Sequence, residues 1–96
     1  MRIDKDGRVG IATETPVNIL QVNVTGADNF DGIQIVREDS STSSGDILGG
    51  IGFDSTDGNV PSSITEASAF IAAYATEAHA TTDKGGELKM GISFID

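Results

Sequence analysis

The sequence predicts an all-β fold of short antiparallel strands joined by long polar loops. Apolar residues alternate with period two along most apolar segments, and Asp-Gly pairs and Ser/Thr tracts break them up. Only residues 64–80 offer helical spacing as a rival.

The first strand is expected over residues 8–13, around Val9 to Ala12. Leu20, Val22 and Val24 interleave with Gln21, Asn23 and Thr25, which places a strand over 19–25. Ile33 to Val36 indicates a shorter one over 32–37. Ile47, Ile51 and Phe53 share a parity with Gly49, opposite Gly50 and Gly52, giving a strand over 46–53. Leu88, Met90, Ile92 and Phe94 alternate with Glu87, Lys89, Gly91 and Ser93, giving one over 87–95. Asp6-Gly7, Asp31-Gly32 and Asp57-Gly58 favour tight turns, and Ser40 to Gly45 reads as an exposed loop.

Residues 64–80 fit two patterns. As a helix, Ile64, Ala67, Ile71, Tyr74 and Ala78 share a face, and Ser63 with Glu66 resembles a capping box. As a strand, Ser68 to Thr76 sets Phe70 and Tyr74 against Ala69, Ile71, Ala73 and Ala75. The local pattern leaves both open.

Ninety-six residues make a single domain, 1–96, with a thin supply of apolar side chains. Only 27 residues are Val, Ile, Leu, Met, Phe or Tyr, Trp is absent, and twelve are Gly. Without cysteine there are no disulfides to make up the deficit, so copies of the chain itself are expected to complete its core. The net charge of −9, with Lys and Arg scattered singly, excludes nucleic acid and disfavours an anionic membrane surface. No apolar run approaches the ~20 residues of a spanning helix, so no membrane insertion is expected.

The residues that could carry chemistry fail on spacing. Asp4 and Asp6 before Gly7 imitate part of a calcium loop, but Arg2 and Thr13 stand where acidic ligands belong, so the segment reads as an Asp-Gly turn. Gly49-Gly50-Ile51-Gly52-Phe53 lacks the third glycine of a dinucleotide fingerprint and the Lys-Ser/Thr of a phosphate loop. Glycines inside a strand mark close backbone approach, here expected at a chain–chain interface. His79 has no partner at zinc or triad spacing and reads as an exposed loop residue. The expectation is therefore no enzyme, no catalytic, cofactor-binding or metal residue, and no cofactor.

Gly7-Arg8-Val9-Gly10-Ile11-Ala12-Thr13-Glu14-Thr15-Pro16, followed by Leu20-Gln21-Val22, resembles a motif of bacteriophage tail-fibre and tailspike proteins. In that family the motif often lies upstream of a self-cleaving intramolecular chaperone domain. Its loose form is Gly-x-Val-Gly-Ile-Gly-Thr-x-x-Pro-x-x-x-Leu-x-Val. The match holds at Gly7, Val9, Gly10, Ile11, Thr13, Pro16, Leu20 and Val22, and fails at Ala12, where glycine is usual. If that position needs positive φ, Ala12 is strained. Asp46 to Phe53, Ala69 to Ala73 and Gly86 to Met90 resemble the family's later strands more loosely, which tips residues 68–76 towards strand.

The resemblance implies an intertwined or side-packed homotrimer, with a motif-bearing part at 1–25 and a β-rich body at 26–96. It implies a structural segment of a viral tail fibre in the virion, facing outward and supporting or forming part of the host-attachment tip. The alternative is a module that binds a host surface glycan or protein through the long loops 54–66 and 77–86. The chain stops at Phe94-Ile95-Asp96 with no turn or cap after its last strand pattern, so a piece of a longer protein is expected.

Overall fold

A computed structural model of the chain describes residues 1–28 and 30–92. The fold is all-β, with two three-stranded sheets and one short 3-10 turn, Ile64–Glu66. Two compact units divide the chain, Met1–Gln34 and a second that begins at Ile35.

The first unit carries β1 (Arg2–Ile3), β2 (Val9–Ile11) and β3 (Leu20–Val22), in that spatial order. β1 pairs with β2 in an antiparallel hairpin whose turn is built by Asp4. Its carboxylate Oδ1 accepts the amides of Asp6 (3.0 Å) and Arg8 (2.9 Å), and its carbonyl accepts the amide of Gly7 (3.0 Å). Gly7 turns the chain at φ 79°, a value that costs glycine nothing. The acidic cluster that imitates a calcium loop thus contains an Asx turn.

β2 and β3 run parallel, which departs from the expected antiparallel arrangement. The cause lies in residues 12–19. Ala12 adopts φ 61°, Thr13 Oγ1 accepts the Thr15 amide at 3.2 Å, and Pro16 is buried. Together they carry the chain back to its starting level instead of reversing it in a hairpin. The ladder then continues beyond the strands: the Val9 amide donates to the Ile19 carbonyl (2.7 Å) and the Asn23 amide to that of Ile11 (2.9 Å).

The second unit holds β4 (Ile47–Phe53), β5 (Ala69–Ala75) and β6 (Gly86–Ile92), antiparallel throughout, with β5 in the middle. Residues 68–76 are therefore strand. The helical alternative survives only as Ile64–Glu66, where Ser63 makes no side-chain cap bond and its hydroxyl pairs with Thr65 Oγ1 at 2.9 Å.

Two further expectations need correction. Residues 32–37 join neither sheet: Ile33 and Val36 stand about 70% exposed, and a strand pattern without a ladder partner does not become a strand. A bulge between Ile47 and Gly49 places Ile47 opposite Tyr74, on the face away from Ile51 and Phe53. The stretch 93–95 of the last expected strand, Phe94 included, lies outside the described residues.

The two faces of the β4–β5–β6 sheet differ sharply. On one, Gly50 and Gly52 leave room for the 3-10 turn to lie flat: a methyl group on Gly50 would stand 2.5 Å from Ile64 Cδ1 and 2.6 Å from the Ile71 carbonyl. One on Gly52 would meet Ala67 at 3.2 Å. The Phe70 ring covers Gly91, where a side chain would collide with it. These glycines crowd against residues of the same chain. The other face carries Ile51, Phe53, Ile71, Leu88, Met90 and Ile92, all exposed.

Candidate functional site

The Gly7–Val22 motif forms a compact loop-and-ladder unit. Gly10 is buried, and a Cβ there would run into the Thr13 carbonyl and approach the Pro16 ring at 3.4 Å. That single contact accounts for three motif positions at once: glycine at 10, a turn former at 13 and proline at 16. Among described non-glycine residues, Ala12 is alone in having positive φ, so the position where the motif prefers glycine is the one that needs it. Gln21 supports the loop from β3, its Oε1 accepting the Val17 amide at 2.7 Å and its Nε2 donating to Asn23 at 2.9 Å.

The two long loops are each closed at the base. Asp54 joins the ends of the first: its Oδ2 accepts the Ser68 amide (3.1 Å) and its Oδ1 the Ser68 hydroxyl (3.2 Å) and the Ser55 amide (2.8 Å). The Ser55 amide holds the Asp54 carboxyl below the ordinary aspartate range; desolvation opposes it as the next largest effect, and the two Ser68 donors add to the lowering. A clamp across fourteen residues leaves no periodic trace in the sequence. Beside it lies a recess of about 200 Å³ lined by Gly52, Val60, Pro61, Ile64 and Ala67, smaller than the ~300 Å³ at which small-molecule pockets usually begin.

In the second loop Glu77 Oε2 accepts the Gly85 amide at 2.7 Å. The Gly85 carbonyl accepts the Thr76 amide (3.1 Å) and lies 3.0 Å from His79 Nε2. The His79 amide donates to the carbonyl of buried Thr42 at 3.0 Å. His79 is thus half-buried and structural, not the exposed loop residue its polar neighbours imply.

A further clamp precedes β4. Asp39 accepts the amide (2.9 Å) and hydroxyl (3.2 Å) of Ser41 and pairs with Arg37 Nε at 3.0 Å, and Arg37 Nη1 donates to the Ile47 carbonyl at 3.1 Å. The Ser41 amide, then Arg37, lowers the Asp39 pKa. Among the described residues no three His, Asp or Glu side chains converge as metal ligands, and no helix is long and apolar enough to cross a membrane.

What stands out is apolar surface. Among the described residues the buried hydrophobic ones are Ala67, Ala72 and Ala75, and no large side chain is fully buried. No family model, curated protein or solved structure matches this chain.

Proposed function

We propose that the chain is a structural segment of a viral tail fibre or tailspike, working as a homotrimer in the virion to support or form part of the host-attachment tip. Its role is to build and space rather than to catalyse. The reading is supported first by the Gly7–Val22 motif, whose demanding positions make geometric sense in this backbone.

The observation that carries the self-assembly half is unshielded surface. Among the described residues, side chains as large as Ile3, Val17, Ile19, Ile33, Leu88 and Met90 are all more than 60% exposed. A soluble chain with three alanines as its buried apolar centre gains too little from burial to offset the entropy of ordering, unless neighbours cover the remainder. Identical neighbours meet that need within a fibre.

Sedimentation equilibrium of the chain at micromolar concentration is the direct test. The expected result is a mass three times that of the 9.9 kDa chain. A folded monomer at that concentration sinks the proposal.

A further inference from the structure

We infer that the open face of the β4–β5–β6 sheet is the surface on which a second copy of this chain packs. This rests on the self-assembly reading above and assigns it a place.

The strand register defines the face. Three cross-strand rows lie on it: Phe53–Ala69–Ile92, Ile51–Ile71–Met90 and Gly49–Ala73–Leu88, the last of them covered at Gly49 by the Ile35 side chain. No residue in these rows is charged or polar, in a chain with 15 acidic side chains. The six large ones are heavily exposed: Ile51 51%, Phe53 54%, Ile71 36%, Leu88 67%, Met90 76% and Ile92 68%. At roughly 200 Å² per fully exposed large apolar residue, they present on the order of 700 Å² of contiguous apolar surface. That exceeds the few hundred Å² usual on a monomer and approaches the ~800 Å² per partner of a standard stable interface.

Charge identifies the occupant. Two chains of net charge −9 repel unless they meet where neither carries a carboxylate, and these rows supply such a place. A basic partner would instead be drawn to the acidic loops. On β5 the small residues Ala69 and Ala73 flank Ile71, so the large side chains of this face stand at its centre and along the β6 row Leu88, Met90 and Ile92. The opposite face offers nothing similar: the 3-10 turn covers Gly50 and Gly52, while Lys89 lies over the Tyr74 ring at 4.7 Å and pairs with Glu87 at 3.5 Å.

The chain has no cysteine, so single thiols report proximity cleanly. Ile71→Cys places one at the centre of the face on the middle strand, where copies arranged about a symmetry axis bring it near its counterpart. Mild oxidation at micromolar concentration is expected to convert most Ile71→Cys chain into disulfide-linked dimer on a non-reducing gel. Lys89→Cys, on the opposite face, is expected to stay single. In parallel, Met90→Glu should raise the concentration at which the assembly half-dissociates by about tenfold or more, because it buries an unpaired carboxylate. Lys89→Glu should leave that concentration within about threefold, because residue 89 lies on the opposite face, where its exposed ion pair contributes little.

A wild-type chain that sediments as a monomer overturns the self-assembly reading and this inference together. A stable oligomer that tolerates Met90→Glu and does not cross-link through Ile71→Cys overturns the face alone. If Met90→Glu loses the β signature in far-ultraviolet circular dichroism, the cross-linking comparison decides by itself.

Discussion

Ala12 shows how one side chain can oppose the geometry its neighbours impose. Gly10 and Pro16 close the loop tightly, and the chain must pass through φ 61° at residue 12 to do so. A non-glycine residue in the left-handed region costs roughly 1–2 kcal/mol through the clash of its Cβ with the backbone. Glycine there removes that cost but gives back part of it as unfolded-state entropy. Ala12→Gly is therefore expected to stabilise the fold by about 1 kcal/mol, measured as a higher midpoint in chemical denaturation with an unchanged slope. A lower midpoint would mean that the loop does not hold residue 12 in this conformation. The strain was legible in the sequence because the surrounding pattern asks for glycine at this position. The clamps at Asp54 and Glu77 were not, because their partners fourteen and eight residues away follow no helical or strand period.

At the scale of elements, period-two alternation located β4 and the start of β6 within a residue, because a half-buried sheet writes its two faces directly into the sequence, whereas β5 fitted a helix equally well and was read as strand only through the family resemblance. It failed where pairing rather than pattern decides. Ile33 to Val36 alternates no worse than Leu20 to Val22, yet only the latter finds a ladder, with β2. Arg2–Ile3 carries too few residues to show a period and becomes a strand because the Asp4 turn delivers it to β2. The Ile47/Gly49 bulge is equally silent in sequence, although it decides which face Ile47 joins. The exposed face itself was half legible: the parity of Leu88, Met90 and Ile92 was visible, while the rows joining them to β5 and β4 follow from register. Gly50 offers the test at this scale. A methyl group there meets not only the flexible tip of Ile64 but the Ile71 carbonyl, which belongs to the sheet's own backbone. Gly50→Ala is expected to destabilise the second unit by about 1–3 kcal/mol, as overpacking of a tight contact does, read from thermal melts against the wild type. No loss of stability would show that the 3-10 turn does not rest on β4.

At the scale of the whole molecule, the same deficit of buried apolar area sets both stability and state of association. On the proposed reading, a chain whose large side chains lie mostly in water has little to lose on unfolding as a monomer, and its folded state draws on contacts between copies. Folding and assembly are then one equilibrium, and mass action makes the melting temperature depend on concentration. For an assembly that dissociates as it unfolds, raising total chain a hundredfold, from about 1 µM to about 100 µM, should raise the midpoint by several degrees, on the order of the 4–8 °C that ~1 kcal/mol gives a domain of this size. Differential scanning calorimetry across that range measures it. A midpoint that stays fixed while the transition remains reversible and cooperative would mean that each chain holds itself together. The exposed apolar surface would then have to be stabilised by something other than its own copies.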